Sequence, residues 1–323
     1  MKKTILATML TSLFAATAAQ SATVVDSDGV TVNLTGELEI QFAKDFDTAG
    51  PKLDVYDANV GVDVAYALTD SVSAIGVISF DTQNGEDDES NADAELDDAY
   101  VGFASDTYGT LTFGKQVTIY DDAGISEDYR LGYSSFYDQD DSGEQVIKYT
   151  FERNAVYGGI AYMLNDGDNV NNDAYAVDGK LGVRFSGLDL TVFYGQGEKG
   201  ETADTVAEIG DKSKSLNLEA RYTIADLTLM AAYGMVDRDA GNSTGYTHDD
   251  EGYAAGALYT IDKVVLAGGW ALLDADNADH EVNSYYANVT YNFNSNVNVY
   301  AEVGGDDAED SEVGYVAGMT VTF

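Results

Sequence analysis

Val313-Gly314-Tyr315-Val316-Ala317-Gly318-Met319-Thr320-Val321-Thr322-Phe323 closes the chain. Every odd position from 313 to 323 is apolar, and the last residue is aromatic. A period of two belongs to a strand with one face in an apolar medium and the other in a polar one. The same alternation recurs about fifteen more times upstream, with no helical segment between. Many such segments of about ten residues mark a transmembrane β-barrel. The chain therefore reads as all-β, a 16-stranded antiparallel transmembrane barrel.

The strands are expected near 30–42, 55–68, 71–80, 96–104, 110–115, 145–151, 155–164, 174–185, 188–195, 214–223, 227–236, 252–261, 264–273, 282–293, 297–304 and 312–323. In the first, Val30, Val32, Leu34, Gly36, Leu38, Ile40 and Phe42 share one face, and Thr31, Asn33, Thr35, Glu37, Glu39 and Gln41 the other. Short connections (69–70, 105–109, 152–154, 186–187, 224–226, 262–263, 294–296) alternate with long polar ones, of which 116–144 is the longest. One rim then carries tight turns and the other long loops. An even strand count returns both termini to one rim, where the first and last strands can pair; an open edge in hydrocarbon would cost several kcal/mol per unpaired backbone group. Tyr56, Tyr66, Tyr285, Tyr291, Phe293, Tyr315 and Phe323 fall at ends of apolar faces, where interfacial girdles form.

Residues 1–21 read as a secretory signal peptide. Lys2 and Lys3 precede an apolar run from Ile5 to Ala19, and Ala19 and Ser21 supply small residues before a cut at Ala22. Residues 22–323 then form the barrel domain. The 323-residue chain has no cysteine, so disulfides and thiolate metal sites are excluded, and its single proline is Pro51. The formal net charge of −41 excludes nucleic acid as a partner. The acidity reads either as a well-solvated surface tuned to salty surroundings or as a negative field that enriches cations at a pore, and the two are compatible.

Three stretches resemble the general diffusion porins of Gram-negative outer membranes, of the marine gammaproteobacterial type. They are Ala22-Thr23-Val24-Val25-Asp26-Ser27-Asp28-Gly29 with the strand after it, Tyr108-Gly109-Thr110-Leu111-Thr112-Phe113-Gly114-Lys115, and the terminal strand ending at Phe323. The resemblance spans the mature chain. It implies a homotrimer in the outer membrane, in contact with lipid and lipopolysaccharide, that passes small hydrophilic solutes and cations by diffusion. It also implies that Tyr315 and Phe323 form the signal read by the barrel-assembly machinery.

The resemblance further implies that the loop at 116–144 folds inward as a constriction. Asp121, Asp122, Glu127 and Asp128, with Arg130, are its expected pore residues. The family's loop motif of a proline, a glutamate and paired glycines is absent. Aligned on the family, the wall opposite the loop carries Glu37, Asn59 and Asp97, with Ser142 near a fourth position, where enterobacterial members carry bases. Lys115, Lys180, Arg184 and Arg221 are the expected inward bases, free in the pore or paired with acids such as Asp178 and Glu219. The expectation is a cation-selective pore.

No catalytic residue, cofactor or metal site is expected. His248 and His280 lie among acids in or beside long loops, with no nucleophile elbow in the sequence. The oxygen-rich stretches 165–169 and 306–310 lack EF-hand spacing. The alternatives are a substrate-specific sugar channel, in which Tyr120, Tyr129, Tyr133, Phe136 and Tyr137 would stack on solute, or a surface adhesin barrel.

Overall fold

The computed structural model describes residues 21–46, 50–81, 94–133, 141–164, 175–198, 212–239, 247–275, 281–308 and 311–323. Almost all of this is strand: β1 (Ala22–Ser27), β2 (Val30–Lys44), β3 (Lys52–Ala67), β4 (Ser73–Asp81), β5 (Glu95–Ser105), β6 (Gly109–Val117), β7 (Ser142–Arg153), β8 (Val156–Met163), β9 (Tyr175–Phe185), β10 (Leu188–Glu198), β11 (Lys212–Ile224), β12 (Leu227–Asp239), β13 (Thr247–Ile261), β14 (Val264–Ala275), β15 (Val282–Asn294), β16 (Val297–Asp306) and β17 (Gly314–Thr322). Each of β2–β16 pairs antiparallel with the next strand, and β17 pairs back to β2, so sixteen strands close a barrel. The sixteen strands read from the alternation are all present.

The seventeenth, β1, was not anticipated as a strand. Asp28 and Gly29, both at positive φ (53° and 81°), turn the chain back so that Ala22–Ser27 pairs with Leu34–Val30. β17 covers the other part of the same β2 edge, from Glu37 to Lys44, and Phe323 exchanges both backbone hydrogen bonds with Gly36 (2.8 and 2.9 Å). β1 and β17 thus share one β2 edge, which is paired from Ala22 to Phe323.

Side-chain alternation follows the sequence reading. On β2, Leu38, Ile40 and Phe42 are exposed on the outside, and Glu39 and Gln41 are buried within. Exposed apolar side chains such as Leu218, Leu229, Val289 and Met319 form the outer surface. Such a surface is stable only against hydrocarbon, where apolar atoms are not hydrated. Two-residue turns at the opposite rim from the long loops take positive φ at Asn154, Ser186, Ala225 and Asp262, which matches their tight reversal.

Residues 1–20 of the expected leader lie outside the described residues, as do 134–140, 165–174 and 276–280 with Phe136, Tyr137 and His280. His248 falls within β13.

Depth in the membrane sets the cost of an outward charge. Leu218 lies mid-strand on β11 and Tyr222 near its turn. Leu218→Lys is expected to destabilise the folded barrel by about 2–4 kcal/mol and Tyr222→Lys by about 0–1 kcal/mol. Equilibrium urea unfolding in lipid vesicles measures both.

Candidate pore constriction

The chain leaves the wall at Val117 and returns at Ser142. Ile119 and Tyr120 turn inward at once and are buried against Val146, Ala161 and Phe193. Tyr120 lies in a short 3-10 turn, Tyr120–Asp122, and its hydroxyl donates to the Ser215 carbonyl (2.8 Å). The wall beneath its ring is Gly195, where a Cβ would stand 2.3 Å from the ring. Further on, Ile125 packs on Met230, Ala254 and Ala271. Leu131 packs on Ala43, Tyr300 and Val316, close over Gly304. The segment therefore crosses the lumen along the inner wall, from β7 to the seam between β17 and β2. The described part of the loop, 118–133, packs on β7–β17 and the long-loop end of β2, which leaves β3–β6 with the rest of β2 as the facing wall.

This segment has little regular structure, so its backbone N–H groups need other partners. Buried wall carboxylates supply them. Asp178 accepts from Ile119 N (2.7 Å) and Glu219 from Gly124 N (2.6 Å). Glu302 accepts from three successive amides, Tyr129 (2.7 Å), Arg130 (3.0 Å) and Leu131 (2.7 Å). Bonds to ionised acceptors are roughly twice as strong as neutral ones. Asn288 donates to the Glu127 carbonyl (2.7 Å), and Tyr129 stacks on Tyr300 with ring centroids 3.5 Å apart. Tyr120 and Tyr129 thus hold the loop to the wall.

Several expected pore residues are occupied in this fastening. Arg130 forks onto Asp45 (2.6 and 2.7 Å) with Gln41 at 3.3 Å, tying the loop to the end of β2. Arg221 bridges Glu219 and the Gly124 carbonyl. Lys180 pairs with Asp122, and Asp128 accepts from Gly132 N (2.8 Å) and from Ser126 within the loop itself. Arg184 points inward but sits at the turn-bearing rim, paired with Glu152 (2.7 Å) and Asp189 (3.0 Å), away from the loop. Lys115 shares the outer face with Phe113, opposite Ala99 and so in line with the exposed Ile78, and pairs there with Glu144; it is not the inward base expected.

Asp121 and Glu127 carry no such ion pair among the described residues. Both stand inside the barrel, and desolvation by the surrounding protein raises both above the ordinary carboxylate range. Asp122 and Asp141 raise Asp121 further, whereas Arg221 opposes the shift at Glu127. Asp121, Asp122, Asp128, Glu219, Asn217 and Tyr133 also border a recess of about 350 Å³ between the loop and β11–β12.

On the facing wall, bulges re-aim side chains. The β2–β3 ladder slips between Glu39 and Ile40, which leaves Tyr56 as the extra residue. Tyr56 then lies under the Arg130 guanidinium (5.2 Å to the ring centroid) in the lumen, and not in the outer girdle expected from its spacing. The β4–β5 ladder slips between Ile78 and Phe80, so Asp97 and Asp98 together meet Ser79: its hydroxyl donates to Asp97 (3.1 Å) and accepts from Asp98 N (2.9 Å). Amides interleave with the remaining acids. Asn59 donates to Asp57 (3.0 Å) and accepts from Glu37 N (3.1 Å), and Gln41 donates to Glu39 (3.0 Å). These contacts separate like charges without neutralising them. The only bases on β2–β5 are Lys44 and Lys52, both at the long-loop ends of their strands.

Sequence reading missed Glu302, Asp57, Asp98, Tyr56 and Lys148. A signal existed for Glu302 and Lys148: each is an ionisable residue at an inward position of an otherwise apolar run, Tyr300-Ala301-Glu302-Val303 and Val146-Ile147-Lys148-Tyr149. Asp57 and Asp98 lie inward by simple alternation, with Asn59 and Ala104 respectively, whereas the inward turn of Tyr56 depends on a bulge, which alternation does not reveal.

Removing the Glu302 carboxylate leaves three loop amides without their acceptor. Glu302→Ala is expected to destabilise the docked loop on the order of 2–4 kcal/mol. Noisier open-channel current and faster proteolysis within 118–133 are the expected readouts in reconstituted protein.

Comparison with known proteins agrees with this architecture. A family model described as Gram-negative porin matches residues 6–311. Porin-like protein H of Photobacterium profundum is 33% identical over the full length of both chains. A monosaccharide porin of Halomonas is 26% identical, over 95% of this chain and 81% of its own. Among solved structures, OmpT of Vibrio cholerae, an outer membrane protein, superposes with a TM-score of 0.78 over 94% of this chain and all of its own, at 21% identity, a likeness of fold. Closed barrel, inward loop and family match together make this chain a member of the Gram-negative porin family, an outer-membrane β-barrel for diffusion of small solutes.

Proposed function

We propose that the chain is a cation-preferring general diffusion pore that works as a homotrimer. The observation that carries the preference is the wall facing the loop. Glu37, Asp57, Asp97 and Asp98 stand there with neutral amides between them, and no base on β2–β5 lies away from the long-loop ends. Low-dielectric walls focus such a field into the water column and raise the local cation concentration. Asp121 and Glu127 add charge from the loop side. The bases expected in the pore are largely consumed: Lys180, Arg221 and Arg130 each pair with an acid in contact.

A general pore is favoured over a sugar-specific one because Tyr120 and Tyr129 spend their faces and hydroxyls on the wall. Trimer formation rests on the family membership. Residues 1–21 act as the export signal in this reading, and Tyr315 and Phe323 as the assembly signal at the seam that Phe323 closes with Gly36.

In a planar bilayer under a KCl gradient, the reversal potential is expected to have the sign of a cation-preferring pore. An anion-preferring sign rejects the proposal. Liposome swelling should fall smoothly with sugar mass; one sugar passing faster than others of equal mass would favour the specific channel. Because the Asp121 and Glu127 carboxyls sit above the usual range, their negative charge is lost on acidification before that of free carboxylates. Cation preference should therefore decline as pH falls through the weakly acidic range, and Asp121→Asn with Glu127→Gln should reduce that decline.

A further inference from the structure

The geometry points to Lys148 as a specificity-determining residue, the fixed positive counter-charge that limits how strongly this pore prefers cations. The inference rests on the cation-preferring reading of the wall and adds to it a residue that opposes that wall.

Lys148 lies on β7 opposite Thr112 of β6 and Ala161 of β8, and Ala161 in turn lies opposite Asp178 of β9. Thr112, Ala161 and Asp178 are buried on the inner face, so Lys148 points into the barrel. Its ammonium donates to the Val117 carbonyl (2.8 Å), the last residue of β6 before the chain enters the constriction loop. It therefore stands at the root of the loop, on the border between loop and facing wall.

Its pairing differs from that of the other inward bases. Arg130, Lys180, Arg184 and Arg221 each have a carboxylate oxygen within 4.0 Å. Lys148 has none among the described residues. Asp122, Asp98, Asp121 and Asp178 act on it from beyond contact, two of them from the loop and two from the wall. A contact ion pair is nearly a dipole, and its field fades quickly. An ammonium bonded to a neutral carbonyl has no contact carboxylate to cancel its field. Placed between Asp98 on one side and Asp121 and Asp122 on the other, it offsets part of the negative potential a permeating cation meets and gives an anion a place to dwell.

The test uses the full-length protein in planar bilayers, with Lys148→Gln, Lys148→Met and Lys148→Arg. Gln and Met remove the charge, and Gln keeps a donor toward Val117. Both are expected to raise the cation-to-anion permeability ratio, roughly threefold at about 0.1 M salt, and Arg is expected to leave it near that of the unsubstituted protein. The gain should shrink at about 1 M KCl, where the Debye length drops to about 3 Å. Swelling rates with neutral sugars should be the same in all forms, since no charge acts on them. An unchanged permeability ratio in Gln and Met overturns the proposal. So does a change in Met alone accompanied by altered sugar entry, which would make Lys148 a prop for the loop. The sign of the unsubstituted pore's reversal potential judges the wall; the shift between Lys148 and Gln judges Lys148.

Discussion

A strand that crosses hydrocarbon cannot leave its N–H and C=O groups unpaired, and this one constraint organises the molecule. It requires every ladder to continue to the next strand and the last to meet the first. β17 and β1 together cover the edge of β2, and Phe323 meets Gly36 between them. Once the sheet is closed, each strand has only two faces to offer. The outer becomes apolar because lipid touches it, and the inner becomes polar because sixteen strands enclose more space than side chains fill.

The same accounting of backbone groups governs the loop. A segment laid across the lumen has lost the sheet's ladder and part of its access to water. Its amides are taken by Asp178, Glu219 and Glu302, which reach inward from β9, β11 and β16. Carboxylates thus serve two ends in this lumen. Those behind the loop are buried, and their charge is spent on backbone amides. Glu37, Asp57, Asp97 and Asp98 on β2–β5 face the passage with amide or hydroxyl neighbours, and among the described residues no base in contact cancels their charge. The division follows which side of the loop an acid stands on, and net charge alone carries no trace of it.

Bulges explain why the alternation read strands well and pore residues less well. Leu38, Ile40 and Phe42 keep strict parity and lie outside as their positions imply. Tyr56 also has outward parity by count, yet one extra residue in the β2–β3 ladder turns it under Arg130. Asp97 and its neighbour Asp98 both serve the lumen for the same reason. Arg130, the one base in the described part of the loop, looked like an isolated pore charge in sequence; the fold brings Asp45 of the β2 end to it.

The amino-acid sequence by itself determined the sixteen crossings, most of their inner and outer faces, the alternation of tight turns with long loops and the absence of bases along β2–β5 away from their long-loop ends, because each of these is a local property of parity, composition or spacing. Tertiary structure alone decided where the loop lies, which acids are consumed in holding it, and that Lys148 meets a carbonyl and, among the described residues, no contact carboxylate. Those outcomes depend on pairs such as Leu131 with Glu302, or Arg130 with Asp45, that are distant along the chain and become neighbours only when the barrel closes.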